Sequence, residues 1–402
     1  MIVFLIILVL INAFIILSGR LYLYKGIANT YLKGRSGPSI YDLDVFHSSH
    51  IKKGGQVSDL KKCVQPEPLK IPENYRSYIE ELDTKAILVM KNNELIYEEY
   101  WGEHDENSYS NSFSMSKTIV SLLIGIAVDE GKIGSLDDNV YTYLPEYQDH
   151  ARKIITIRHL LQMASGLNWI ESSANPLSDN AESYYGTNLR GHLGRQKRIS
   201  EPGEIFNYQS GNSQLLGMII EKVTGMTLSA YTELKIWSKI GMQGDAYWSL
   251  DKKYGIEKAF CCLYANARDY ARLGQLILNK GVHDGEQILP RWYYEEMVAE
   301  NSLSTMEGLP NSRYGLHMWS YRGGEYPVYY CRGIRGQYLI CIPEENLLIV
   351  RLGTKRKPDF EIPENRKNAP IFVEQNKHKI GHCLGIFEYI ALGKNLASQI
   401  KD

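Results

Sequence analysis

The sequence predicts an α/β (α+β) fold: an antiparallel sheet flanked by helices, with a helical subdomain inserted between its strands. Residues 84 to 102, TKAILVMKNNELIYEEYWG, hold two apolar runs separated by Lys91, Asn92 and Asn93, the pattern of a β-hairpin. From Ser114 to about Trp237 the apolar spacing turns helical, and ITIRHLLQMASGL and NSQLLGMIIEKVTG are both amphipathic and both stopped by glycine. After further helical pieces at ARDYARLGQLILNKG and RWYYEEMVAE, strands return at YGLHMWSY, YPVYYCRG, QYLICIPE and NLLIVRLG. Strands at both ends and helices between them imply one sheet assembled from the two ends of the chain.

The first eighteen residues, MIVFLIILVLINAFIILS, carry only Asn12 and Ser18 as polar side chains, close to the length that crosses a hydrocarbon core. They read as a membrane segment or an export signal. Without a basic leading region or an A-x-A site, an uncleaved anchor over 1–19 is the expectation. Arg20, Lys25, Lys33 and Arg35 all follow the segment, which by the positive-inside rule would hold the domain in the cytoplasm. That rule is weak for one segment ahead of a large domain; the expectation is a membrane-anchored protein with its domain in the envelope or periplasm, the side being left open. Residues 20–66, broken by Gly34, Gly37, Pro38, Gly54 and Gly55, read as a juxtamembrane connector, and 67–395 as the globular domain.

At 402 residues with a formal charge of -1, the chain can bury a substantial core and has no broad basic surface for nucleic acid. Its six cysteines are too few for a disulfide framework, and no C-x-x-C or H-E-x-x-H spacing suggests a metal. Adjacent Cys261 and Cys262 would alternate faces of a strand and read as packing. The segment KRKPDFEIPENRKNAP, 355 to 370, reads as a solvated loop without a role. Neither oligomeric state nor partner copies are legible.

Chemistry enters at NSFSMSKTIVSLLIG, residues 111 to 125. Ser-x-x-Lys spacing alone means little, since it also occurs at Ser49/Lys52, Ser58/Lys61, Ser249/Lys252 and Ser398/Lys401. At Ser114 the setting differs: Asn111 or Ser112 can cap a helix, and the side chains that follow are apolar nearly all round, so the helix is buried. A serine in its first turn has unpaired N–H groups and the positive end of the dipole beside it. Lys117, one turn on, lies on the same face, and partial desolvation would lower its pKa and free the neutral amine as a base. The alternative is a capping serine and a lysine that snorkels to the surface.

Two further elements lend weight. In EPGEIFNYQSGNSQLLGMIIEKVTG, Tyr208 and Ser210 precede an amphipathic helix, and a tyrosine hydroxyl at Ser114 can pass a proton to a leaving group. In YYCRGIRGQYLICIPEENLLIVRLG, Gly333 and Gly336 flank Ile334 in a strand pattern, which would leave the Ile334 N–H free to join that of Ser114 in an oxyanion hole. Taken singly, each reads as easily as a packed aromatic and a β-bulge.

Together the three elements resemble the serine β-lactamase and penicillin-binding protein superfamily, known by its S-x-x-K, S-D-N and K-T-G set. Within it they resemble the β-lactamase-related hydrolases that include family VIII carboxylesterases and the 6-aminohexanoate-dimer hydrolase. The resemblance covers roughly residues 80 to 355 and runs in order through 114–117, 155–167, 202–225 and 333–337. It implies the serine β-lactamase/D,D-peptidase-like fold and no cofactor. It also implies Ser114 as acylated nucleophile, Lys117 as its activating partner, Tyr208 as general acid/base, and the Ser114 and Ile334 N–H groups as oxyanion donors. Trp169, Tyr184 and Tyr185 are candidate pocket walls, and Ser210, Arg332 and Gly333 candidate substrate contacts. The departures are Ser210, where β-lactamases of this kind have the asparagine of Y-x-N, and Cys331-Arg332-Gly333 in place of K-T-G. An ester or small amide is therefore the expected substrate; a cell-wall D,D-peptidase or β-lactamase and a non-catalytic binding module are the alternatives.

Overall fold

Alternation along the strands divides the core in two. The computed structural model describes residues 1–400 apart from 56 and 368. In chain order the elements that matter for the site are helices α1 (Ile2–Leu17) and α2 (Tyr22–Asn29) and strands β1 (Ser48–Ile51), β2 (Thr84–Lys91), β3 (Glu94–Tyr100) and β4 (Ser110–Asn111). Helices α3 (Ser116–Asp129), α4 (Asp179–Tyr185), α5 (Leu189–Gly194) and α6 (Ser210–Thr224) come next. Strands β5 (Ala246–Ser249) and β6 (Leu263–Ala265) and helices α7 (Ala267–Leu278) and α8 (Arg291–Val298) follow. The chain ends with strands β7 (Trp319–Tyr321), β8 (Val328–Gly333), β9 (Gln337–Ile342) and β10 (Leu347–Gly353) and helix α9 (Leu384–Ser398).

The main sheet runs β7-β8-β9-β10-β2-β3 and is antiparallel throughout. Val350 of β10 faces Leu88 of β2, so the C-terminal strands join the N-terminal hairpin as the patterning predicts. Leu88, Met90, Leu339, Cys341, Leu348 and Val350 point to the core that contains α7. Their neighbours Ile87, Val89, Ile340, Ile342, Leu347 and Ile349 point to the opposite core, closed by Tyr389, Leu392 and Leu396 of α9. Helices cover both faces, so the strands read as continuous apolar runs. Each covering helix approaches through a glycine: a Cβ on Gly274 would lie 2.5 Å from Leu348, and one on Gly393 2.5 Å from Ile349.

Helix α3 explains its own all-round apolarity, because every residue from Ser116 to Ala127 is buried. Its polar side chains are spent inside: Thr118 Oγ1 donates to the His317 carbonyl and Ser121 Oγ to that of Leu316. At Gly125 a Cβ would lie 2.4 Å from the Tyr293 ring, so α8 packs directly on the α3 backbone.

Of the two N-terminal expectations, the connector needs correction and the anchor meets a helix shorter than a span of the bilayer core. The apolar span at 1–19 forms a helix of 16 residues, about 24 Å by the α-helical rise, and no helix among the described residues is long and apolar enough to cross a membrane. Residues 20–66 are not a loose connector. Tyr22, Ile40, Phe46, Ile51 and Leu60 belong to the larger core cluster. Strand β1 pairs antiparallel with β5 in a second sheet, β1-β5-β6-β4, and the Ile40 carbonyl accepts from Asn111 N at 2.9 Å. The glycines that break sequence periodicity belong to a segment that docks through backbone carbonyls and isolated apolar side chains rather than through a regular face.

Candidate active site

Ser114 sits in a tight turn, Phe113–Met115, that runs straight into α3. Its predecessor Phe113 has φ +45°, a conformation costly for a side chain this size, and the Phe113 N–H is held by Asn111 Oδ1 at 2.8 Å. This bend presents Ser114, half-buried, at the floor of a cleft of about 320 Å³.

Lys117, 1% exposed, donates to Ser114 Oγ at 3.1 Å and to the Phe260 carbonyl at 2.7 Å. Burial lowers its pKa to about 8, opposed in part by the carboxylate of Glu171. About a tenth of such amines are neutral at pH 7, against less than a thousandth for an ordinary lysine. If neutral Lys117 deprotonates Ser114, kcat/KM for a neutral ester rises with pH through about 8 and levels above it; a profile flat from pH 6 to 10 would exclude that role.

Tyr208 borders the same cleft as Ser114, and the serine hydroxyl opposes part of the rise that burial imposes on the phenol's pKa. Burial raises its pKa well above 10, so at neutral pH it is a phenol that donates. Trp319 and Tyr314 hold the ring, at centroid distances of 5.6 and 5.8 Å. Behind it, Gln209 Nε2 donates to the Leu167 carbonyl and Ser165 Oγ to Asn212 Oδ1, tying the ASGL turn to the start of α6. His317 is buried and neutral, its pKa lowered to about 3 by burial, and its nitrogens meet Ser213 Oγ and the Leu161 carbonyl.

The glycine-flanked stretch is a turn between strands rather than strand throughout. Pairing of β8 with β9 closes at Gly333 opposite Gln337, so Ile334 lies outside the ladder. Gly333 is required by contact: a Cβ there would lie 2.3 Å from the Ser112 carbonyl, directly beside the Ser114 turn. Ser114, Gly333 and Ile334 all border the cleft.

Of the other candidates, Tyr184, Tyr185, Ser210 and Arg332 also line the cleft. Trp169 does not. Its indole packs on Gly211, where a Cβ would lie 2.6 Å away, and its Nε1 donates to Glu171 at 2.8 Å. Arg332 is already committed: it pairs with Asp359, donates to the Gly381 carbonyl and stacks on Trp319 at 3.8 Å. Arg335 turns away to the Pro38 carbonyl.

Several lining groups had no signal in the sequence. Glu171 accepts from Trp169 Nε1, Ser210 N and Ser210 Oγ, so its carboxylate caps the start of α6 while facing the cleft. Pro38 comes from the segment read as connector. Arg356 and Asp359 come from the loop read as having no role; Asp359 is bonded by both Arg332 and Arg356. Cys261 and Cys262, expected to alternate on a strand, lie instead in a turn before β6, with Cys262 at φ +67°, and are joined to each other by a disulfide. Cys261 borders the cleft directly after Phe260, whose carbonyl holds Lys117.

Comparison with known proteins gives a consistent picture. The family model described as Beta-lactamase matches residues 76–371. The 6-aminohexanoate-dimer hydrolase of Paenarthrobacter ureafaciens is 28% identical over 305 residues, covering 70% of this chain and 75% of that protein. A solved structure from Bacillus anthracis, provisionally named a 6-aminohexanoate-dimer hydrolase, superposes with a TM-score of 0.73 at 23% identity, covering 90% of this chain and 94% of the other. A family VIII carboxylesterase superposes with a TM-score of 0.59 at 18% identity, covering 76% and 96%. At those identities the two structures speak for the fold alone. The family model spans most of the chain and includes all three elements that meet at Ser114, and on that ground the chain belongs to the Beta-lactamase family.

Proposed function

We propose that this serine hydrolase cleaves carboxylic esters or small amides through an acyl-Ser114 intermediate. The observation that carries the reading is the convergence of Ser114, a buried Lys117 and a protonated Tyr208 in one cleft. Neutral Lys117 takes the Ser114 proton as Oγ attacks the carbonyl carbon, and the N–H groups of Ser114 and Ile334 face the developing oxyanion. Tyr208 gives its proton to the departing alkoxide or amine and regains one from Lys117. In the second half water attacks the acyl carbon, Lys117 and Tyr208 move its proton, and the acid leaves with Ser114 restored.

Similarity to a 6-aminohexanoate-dimer hydrolase supports an ester or small amide over a β-lactam. Cys331 stands where the K-T-G lysine would, and its neighbour Arg332 is neutralised by Asp359, so neither offers a β-lactam carboxylate a free cation. A panel of p-nitrophenyl butyrate, a short p-nitroanilide and labelled penicillin tests this: turnover of the ester or anilide without a lasting penicillin adduct is expected. A stoichiometric adduct on Ser114 would favour the D,D-peptidase reading instead.

The assignment of 67–395 as the globular domain is extended in this reading to begin near residue 20, because the preceding segment supplies Pro38 to the cleft. The exposed, apolar α1 supports attachment of the chain to a membrane surface.

A further inference from the structure

The turn that carries Ile334 is held from behind by a buried cation. Arg351, in β10, is 0% exposed, and no carboxylate is bonded to it among the described residues. Its donors go to main-chain oxygens instead: Nη1 to the carbonyls of Gly336 at 2.7 Å, Lys355 at 3.0 Å and Arg335 at 3.1 Å, and Nη2 to that of Leu82 at 2.8 Å. Thr84 Oγ1 accepts from Nη2 at 3.0 Å and from Nε at 3.3 Å. An unpaired buried charge is costly, and the planar fork of a guanidinium is the side-chain group that can satisfy so many acceptors at once. The backbone is shaped to meet it. Arg335 and Gly336 have φ +63° and +85°, two left-handed residues in a row whose carbonyls both reach the guanidinium, and a Cβ on Gly336 would lie 2.1 Å from Nη1.

A second side chain holds the same turn from its other end. Gln337 is 0% exposed; its Nε2 donates to the Ile334 carbonyl at 3.2 Å and the Gly353 carbonyl at 2.7 Å, and its Oε1 accepts from Gly353 N at 3.1 Å. The carbonyls of Ile334, Arg335 and Gly336 are thus all tied to side chains, while Gly333 is wedged against the Ser112 carbonyl. Peptide groups are planar, so with the units after it fixed and Gly333 fixed before it, the Gly333–Ile334 amide has little freedom to rotate. That amide bears the N–H that faces the oxyanion.

We infer that Arg351 is a positioning residue for this reaction: its guanidinium, which does not border the cleft, aims the Ile334 N–H at the developing oxyanion. The inference rests on the acyl-serine reading, and within it on Ile334 as an oxyanion donor. A donor that is slightly misdirected loses more in the transition state than in the substrate complex, because the carbonyl oxygen gains its charge only on attack. The loss therefore falls on kcat rather than on KM.

The test is a double-substitution cycle on p-nitrophenyl butyrate hydrolysis, with kcat and KM measured for wild type, Arg351→Lys, Ile334→Pro and the two combined. Lysine keeps the charge and loses the fork. Proline suits position 334, since Ile334 opens a single helical turn and Gly333 before it is extended at φ -122° and ψ 155°, so the substitution removes the N–H with little change of path. Rates are counted per serine titrated with a fluorophosphonate, so that unfolded molecules do not enter. Thr84→Val, which takes one acceptor from the guanidinium, replaces Arg351→Lys in the cycle if that variant does not fold, with a smaller loss expected. Ile334→Pro is expected to lower kcat by about a hundredfold, Arg351→Lys by about tenfold or more with KM within about twofold, and the pair no further than Ile334→Pro alone. Losses that multiply in the pair, an unchanged kcat in Arg351→Lys, or a loss confined to KM overturns the proposal. An Ile334→Pro protein as active as wild type would instead strike out Ile334 as a donor, and this inference with it, while acyl-serine cleavage would still be judged by Ser114→Ala.

Discussion

Ser114→Ala is expected to lower p-nitrophenyl butyrate hydrolysis by at least about a thousandfold, equivalent to roughly 4 kcal/mol of transition-state stabilisation. The effect is large because the acyl-serine route has no substitute once Oγ is gone: Lys117 and Tyr208 both act through that atom. The substitution itself is small and its site half-buried, so the fold should survive, with thermal unfolding within about 1 kcal/mol of wild type. A fluorophosphonate that modifies the wild type at Ser114, and leaves the alanine variant unmodified, would complete the assignment. Equal hydrolysis by both proteins would mean that another group attacks the ester, and the binding-module reading would then lead.

Deletion of residues 1–66 is the other change of large expected effect, and here the loss is of the fold. Tyr22, Ile40, Phe46, Ile51 and Leu60 are all buried. At about 1.5–3 kcal/mol for each large apolar side chain removed from water, their gross burial rivals the 5–15 kcal/mol net stability typical of a domain. The ordering entropy of the segment offsets part of this, yet its removal also exposes the edge of β5 at Ala246–Ser249 and takes Pro38 from the cleft. The shortened chain is expected to aggregate or unfold without a sharp transition, whereas removal of residues 1–17 alone should leave thermal unfolding and esterase activity near those of the full chain. Cooperative unfolding of the 67–402 fragment at the full chain's temperature would show that the segment is an appendage after all.

The contrast between these two regions shows what the sequence made legible. Strands β2 and β8 to β10 were readable because burial on both faces leaves apolar runs bounded by turn residues, β3 as the second arm of a hairpin, and α3 because apolar residues dominate its whole circumference after Thr118. Ser114, Lys117 and Tyr208 stood out through their order along the chain, since one helical turn and one short loop fix their spacing. Residues 20–66 were not readable, because a segment that docks through the carbonyls of Pro38 and Ile40 leaves no side-chain period. Glu171 and Asp359 were invisible for a related reason: the partners that bring them to the cleft, Ser210 and Arg332, lie 39 and 27 residues away in sequence, and without them each looks like any surface acid. Trp169 was placed on the wrong side of its loop because sequence order does not say which face a loop aromatic turns inward, and Gly211 takes it into the core.

The cleft divides its labour between parts of unequal freedom. Ser114 and Lys117 stand on or beside a fully buried helix, and Gly333 is pressed against the Ser112 backbone, so almost any change there disturbs packing. The surrounding walls come from short, unrelated stretches: Pro38, the region from Glu171 to Tyr185, and Arg356 with Asp359. Those stretches can be lengthened, shortened or rewritten one at a time while the reacting atoms keep their places. A lineage built on this plan can therefore change what it cleaves without relearning how to cleave. In the laboratory, the same partition marks the stretches to randomise when a new acyl group is wanted.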